Sequence, residues 1–92
     1  GYYFESLDFP ATERRFSSYF AEFLTAEASE VRAHAHPGAE LVYVLGGTLA
    51  LQVGTDVHVL ESGDSMYFDS SVPHGYRRAS PGACTAIVVT SG

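Results

Sequence analysis

The sequence predicts an all-β protein, a single sandwich or barrel built from short strands. Short apolar runs recur after residue 30 and are separated by turns rich in Gly and Pro. Helical periodicity is nearly absent from the same region. The chain has 92 residues, of which 46% are hydrophobic and only 17% charged, so it can form one domain with a dense core.

The chain opens directly into strand-like residues, and its second apolar segment has two interpretations. Between Thr12 and Ala28, large apolar side chains recur at a spacing that also fits a helix, at Phe16, Tyr19, Phe20, Phe23 and Leu24. The aromatic content of this segment and the β character of the remaining chain favour a strand. A helix is the alternative here.

The remaining strands are bounded by turn residues, in the order 40–45, the hairpin 48–60 with its turn at 54–56, 65–69, 74–78 and 83–90. Within the hairpin, His58 alternates with Val57 and Val59 and is predicted to point outwards.

Charge and composition exclude several functions. The net charge is −6 and all five basic residues are arginine, which argues against nucleic-acid binding by this chain alone. A single cysteine, Cys84 in an apolar strand, predicts a buried thiol and no internal disulfide. No apolar run is long enough to cross a membrane and no signal peptide is evident, so a cytoplasmic protein is expected. The chain starts at Gly1 without Met, which favours a domain cut from a longer polypeptide.

A cluster of possible metal ligands is the most informative local pattern. His34 and His36 are two residues apart, so in a strand both imidazoles face the same space. Glu40 follows the Pro37-Gly38 turn, which can return its carboxylate toward them, and His74 offers a fourth ligand from a distant strand. Two imidazoles and a carboxylate suit Zn, Fe, Mn, Ni or Cu with open coordination positions. The alternative is that these histidines are structural or surface residues.

The spacing of these residues resembles the two motifs of the cupin superfamily. Six residues separate Glu40 from Gly47, and Gly63-Asp64 opens a second segment that ends in Pro73-His74. The resemblance implies a cupin double-stranded β-helix (jelly-roll) barrel that occupies residues 1–92 as a single domain. It also implies that His34, His36, Glu40 and His74 hold one divalent metal ion, which is Zn, Ni, Fe or Mn.

Residues 67–78 are similar to the C-terminal cupin domain of bacterial transcriptional regulators that carry a helix-turn-helix. That resemblance implies a sensor or binding domain for a small molecule, although this chain has no helix-turn-helix pattern. A free-standing metal-dependent enzyme, such as a dioxygenase, is the alternative, because open metal positions can activate water or oxygen. A structural or dimerisation module with little metal is the third possibility. No catalytic residue beyond the ligands is identified.

Strand alternation also predicts the residues that hold the small molecule. Arg32 shares parity with His34, and Tyr76 and Arg78 share parity with His74, so all three are expected to face the cavity. Two guanidinium groups beside a metal would suit a small carboxylate ligand. The alternative is that these arginines are solvated or paired with an acid, such as Glu30 for Arg32 or Glu40 inside the barrel. The apolar segment Tyr2–Phe4 and the exposed edges of an open barrel predict a homodimer.

Overall fold

The structure is a computed structural model that describes residues 2–10, 15–28 and 31–91. These residues form strands and no α-helix, which confirms the all-β prediction; the strands are β1 (Tyr2–Ser6), β2 (Phe16–Phe23), β3 (Ala39–Gly46), β4 (Thr48–Val53), β5 (Asp56–Glu61), β6 (Ser65–Asp69), β7 (His74–Arg78) and β8 (Cys84–Ser91). The described residues contain no helix that is long and apolar enough to span a membrane.

The strands form two antiparallel sheets. One sheet has five strands in the order β1-β2-β8-β3-β6, and the other has three in the order β5-β4-β7. The last strand, β8, lies between β2 and β3, so strands distant in sequence are neighbours in the sheet. This arrangement confirms the jelly-roll fold class.

The core lies between the two sheets and follows the alternation of the strands. In β3, Val42 and Val44 are fully buried whereas Leu41 and Tyr43 on the opposite face are exposed. Across the core, Leu49 and Leu51 of β4 are also fully buried. Cys84 is a buried free thiol, as predicted, and burial raises its pKa.

The segment with two interpretations is a strand over the part that the structure describes. Residues Phe16–Phe23 pair with β8 along their whole length. Ala21 and Phe23 are buried on one face, which is the two-residue period of a strand. The helix alternative is therefore wrong for β2. Residues 12–14, the first residues of the segment for which a helix is the alternative, lie outside the described residues.

The predicted outward position of His58 is wrong. His58 is half-buried on the same side of β5 as the buried Leu60, and it pairs with the buried Leu51 of β4. Val57 and Val59 are instead 53% and 61% exposed. Alternation alone defines two faces but does not say which one meets the core.

Candidate metal centre

Three side chains from separate parts of the fold converge on one point. Glu40 lies near the start of β3 in the five-stranded sheet, and His74 is the first residue of β7 in the three-stranded sheet. His36 lies in the segment that leads into β3. Their ligand atoms all lie within 4.8 Å of one another. Glu40 Oε1 is 3.2 Å from His36 Nε2 and 3.6 Å from His74 Nε2.

Backbone hydrogen bonds hold the histidine segment against the loop before β7. His34 and His74 exchange a reciprocal pair of N–H···O bonds, each 2.8 Å long. The His36 amide donates to the Ser70 carbonyl at 2.9 Å, and the Ser70 amide donates to the Gly38 carbonyl at 3.1 Å. The position of His36 is therefore fixed by main-chain contacts and does not depend on its own half-exposed side chain.

Contacts between Nδ1 and backbone carbonyl oxygens orient the imidazole rings of His36 and His74. His74 Nδ1 lies 2.9 Å from the Val72 carbonyl oxygen, and His36 Nδ1 lies 3.3 Å from that of Pro37. A carbonyl can only accept, so a proton on Nδ1 would satisfy each contact and leave the Nε2 lone pair available to a metal ion. Both Nε2 atoms face the Glu40 carboxylate. This arrangement orients imidazoles for metal binding in the manner usual for histidine ligands.

The electrostatics of the cluster favour a proton or a metal ion between the three side chains. Glu40 is only 3% exposed, and burial raises the pKa of its carboxyl above the ordinary value of 4.5, while the charges of His74, His36 and His34 act in the opposite direction. Two nitrogen lone pairs and a carboxylate oxygen repel one another at these distances unless a proton or a metal ion lies between them.

The donor set fits a divalent transition metal. Ligand bonds of about 2.0–2.2 Å place neighbouring ligand atoms roughly 2.8–3.6 Å apart in octahedral or tetrahedral geometry. The 3.2 Å and 3.6 Å separations lie within that range. Two imidazoles and one carboxylate on one side of an ion leave positions open on the other side.

His34 lies beside this cluster but outside the group of three. Its side chain is exposed, and it lines the same cavity as His36, Glu40 and His74. Its charge also acts on the Glu40 carboxyl. The backbone pair with His74 brings the residue to the site, whereas its imidazole does not reach the other three ligand atoms.

The three residues predicted to hold a small molecule are placed differently. Tyr76 lines the cavity, with its ring stacked on Phe23 at 4.9 Å. Arg32 is exposed and lines a neighbouring cavity. Arg78 lines neither of these cavities, and its guanidinium donates to the carbonyl oxygens of Leu24, Ser80, Pro81 and Gly82.

A cavity of about 430 Å³ opens beside the cluster. In addition to the four ligand candidates and Tyr76, its walls are formed by Tyr2, Phe4, Tyr19, Val88 and Thr90. Sequence reasoning does not identify Tyr19, Val88 or Thr90 as cavity residues, because they lie on β2 and β8, whose position beside β3 depends on the pairing of strands distant in sequence. This volume lies in the range typical of small-molecule sites.

Sequence comparison identifies the family. A profile of the cupin domain matches residues 22–90, which include all four ligand candidates. The chain belongs to the cupin family. No curated protein matches it by sequence.

Solved structures support the fold of this cupin. Co(II)-bound HppE in complex with Tris buffer superposes with a TM-score of 0.87 at 23% identity, covering 97% of this chain and 52% of that chain. The hydroxypropylphosphonic acid epoxidase from S. wedmorenis in complex with fosfomycin gives 0.84 at 20% identity, covering 99% and 51%. SPY1581, a protein of unknown function from Streptococcus pyogenes, gives 0.79 at 14% identity, covering 99% and 74%. The cupin thus spans about half the length of the epoxidase chains that it matches.

Proposed function

We propose that this cupin domain binds one divalent metal ion through His36, Glu40 and His74, with His34 as a fourth ligand, and uses the metal and the adjoining cavity to bind a small molecule. The observation that carries the proposal is the convergence of two imidazole nitrogens and a buried carboxylate oxygen within 4.8 Å. When bound, the metal supplies Lewis acidity and open coordination positions. Zn, Ni, Fe and Mn all suit this donor set.

The role that we favour is that of a cytoplasmic small-molecule sensor in a bacterial transcriptional regulator. Among the described residues that line the cavity, Glu40 is the only acid, and there is no lysine or arginine. The site therefore offers a metal and apolar walls, which serve binding, and few groups for acid–base chemistry. The similarity of residues 67–78 to regulator cupins supports the same role.

A metal-dependent enzyme is the second candidate, and the position of His34 favours it. An exposed imidazole at the cavity, outside the group of three, can act as a base if it does not ligate the metal. The HppE structures, one of them named as the Fe(II) form, show that the same fold can hold a metal in an enzyme. Only the fold is shared at this level of identity.

Metal content tests the shared part of both proposals. Natively purified wild type, His74→Ala and the control His58→Ala are compared by elemental analysis and by titration with Zn²⁺ and Mn²⁺. Loss of one ligand should weaken binding by at least about 100-fold in His74→Ala, whereas His58→Ala, whose histidine lies outside the site, should match wild type. Equal metal binding by all three proteins would refute the site.

His34→Ala then distinguishes a role of His34 as a metal ligand from a role as a catalytic base. If His34 is a ligand, the variant loses metal affinity. If His34 is a base, the variant keeps its metal, and the Fe(II)-loaded wild type consumes dioxygen with a co-purified small molecule while the variant does not. Mass spectrometry of the native protein supplies that molecule.

We also propose that the chain forms a homodimer through the outer face of the five-stranded sheet. The relevant residues point away from the core and are apolar, although such a face is normally polar when it meets water. They are Leu41, Tyr43, Leu45, Tyr67, Ile87 and Val89, called the outer face below.

The charge of the chain favours a second copy at this surface. Two chains of net charge −6 repel each other, so a contact between them must avoid carboxylates. None of the six residues of the outer face is charged, and Tyr67 is 73% exposed. The carboxylates on this side of the sheet, Glu22 and Asp69, lie at the margins of the patch. Contiguous apolar patches of a few hundred Å² are typical of protein interfaces, and a two-fold axis lets the same patch serve both copies.

A further inference from the structure

One polar atom in the core has no partner. The hydroxyl of Tyr76 is shielded from solvent and finds no hydrogen-bond partner among the residues that the structure describes. The ring that carries it is held firmly, because it stacks on Phe23 at 4.9 Å and meets the His74 ring edge-on at 6.2 Å. Leaving a buried hydroxyl unpaired is unfavourable, and such groups in folded proteins usually have a functional explanation.

Tyr76 stands between two cavities. The cavity beside the metal ligands and a second cavity of about 270 Å³ are both lined by Tyr2, His34 and Tyr76. Tyr2 is 58% exposed and His34 is also exposed, so both side chains can turn aside, whereas the Tyr76 ring is packed in place. The Tyr76 side chain therefore borders the space in which a molecule bound at the metal would lie.

The net charge of the metal-loaded site indicates the charge of the ligand that it would bind. A divalent ion and the Glu40 carboxylate together leave one positive charge. The described walls of the cavity add no lysine or arginine, since Arg78 is engaged by carbonyl groups elsewhere and Arg32 lines the neighbouring cavity. A second negative charge on the ligand would lie unpaired against apolar walls, which is unfavourable. The site therefore matches a monoanion.

We propose that the Tyr76 hydroxyl is the hydrogen-bond donor that orients a small monoanionic organic ligand, whose acidic group lies at the metal and whose apolar body lies against Tyr2, Phe4 and Tyr19. This inference rests on the metal-dependent binding proposed above. The sequence-based prediction names Tyr76 together with Arg32 and Arg78 as the residues that hold a carboxylate, and the inference keeps Tyr76 but not the two arginines. A single neutral donor provides orientation and adds no charge.

The test compares wild type, Tyr76→Phe and Tyr3→Phe. Tyr76→Phe removes only the hydroxyl and keeps the ring on Phe23, and Tyr3→Phe removes an exposed hydroxyl from a residue that lines neither cavity. Each protein is loaded with Co²⁺, whose visible spectrum reports its coordination. Benzoate, 2-hydroxybutyrate and succinate are then titrated by calorimetry.

We expect all three proteins to bind Co²⁺ equally. Loss of one neutral hydrogen bond should weaken the binding of at least one monoanion about five- to tenfold in Tyr76→Phe and leave it unchanged in Tyr3→Phe. Succinate should bind more weakly than the monoanions in wild type. Without ligand, Tyr76→Phe should unfold at the same temperature as wild type or higher, because the hydroxyl that it lacks was unpaired.

Several results would overturn the inference. Equal affinity of wild type and Tyr76→Phe for every monoanion would remove Tyr76 from the site. Tighter binding of succinate, or no binding of any probe at millimolar concentration, would contradict the ligand class. A lower unfolding temperature of ligand-free Tyr76→Phe would mean that the hydroxyl has a structural partner. A wild type that binds no Co²⁺ would overturn the proposed function itself, and this inference with it.

Discussion

Replacing Glu40 by Gln should have opposite effects on the metal-free and metal-loaded protein. The folded state raises the pKa of this carboxyl above 4.5 by burial, so it holds the proton more tightly than the unfolded chain does. Between 4.5 and the raised pKa, the folded state binds more protons, and the stability of the metal-free wild type must fall as pH rises through that window. Gln cannot ionise, so Glu40→Gln should lack this loss and should be the more stable metal-free protein at neutral pH.

A bound metal should make wild type more stable than Glu40→Gln. An ion at 100 times its dissociation constant stabilises the folded state by about 3 kcal/mol. For a domain of this size, each kcal/mol raises the unfolding temperature by roughly 4–8 °C, so wild type should gain about 10–20 °C. Glu40→Gln replaces the charged ligand that lies 3.2 Å and 3.6 Å from the two imidazoles, so it should gain almost nothing.

Thermal unfolding followed by circular dichroism measures both effects. Wild type and Glu40→Gln are melted between pH 5 and pH 8, with EDTA and with millimolar Zn²⁺ or Mn²⁺. Parallel pH profiles of the two metal-free proteins would refute the claim that the buried carboxyl resists ionisation. An equal metal-induced shift in both proteins would show that Glu40 is not a ligand.

Three further predictions concern the fold, assembly and nucleic acid. Gly47→Ala should lower the free energy of unfolding by about 2–5 kcal/mol, because φ is +75° there and the added Cβ would lie 2.5 Å from the Ala83 carbonyl oxygen. Gly82→Ala, with nothing within 4 Å, should change it by less than about 0.5 kcal/mol in the same denaturant titration. Light scattering at micromolar concentration should give a dimer for wild type and Val57→Glu and a monomer for Tyr67→Glu, while a monomeric wild type would contradict the outer-face interface. Fluorescence anisotropy should detect no sub-micromolar, salt-sensitive binding of this chain to duplex DNA, and such binding would show that its charges are distributed differently from the net value of −6.

The sequence predicts the strands and the grouping of His36, Glu40 and His74 because both depend on short-range geometry, whereas His34 lies outside that group. Alternation and a two-residue turn are enough to relate His36 to Glu40, and the cupin motif relates them to His74. The same reasoning does not predict the position of Arg78, which does not line the cavity. Arg78 follows His74 by four residues, which is roughly 13 Å along an extended strand. Parity gives a side of the strand but not a distance from the metal.

The outer face could not have been read from the sequence. Residues 41–45 form an unbroken apolar run, which is typical of a strand that is buried on both sides. The structure buries Val42 and Val44 and leaves Leu41 and Tyr43 at 37% and 44% exposure. The unpaired Tyr76 hydroxyl likewise depends on packing, because no local pattern reports whether a phenol finds a partner.

The positions of the proposed ligands would give a bound metal ion a role in folding. Glu40 belongs to one sheet and His74 to the other, so an ion held by both would act as a cross-link between the two layers. By the chain-entropy model, closing the loop between residues 40 and 74 would stabilise the fold by about 4 kcal/mol, comparable to a disulfide, in a chain whose only cysteine is unpaired. Separation of the sheets would then require release of the ion, so resistance to proteolysis would follow the supply of metal in the cell.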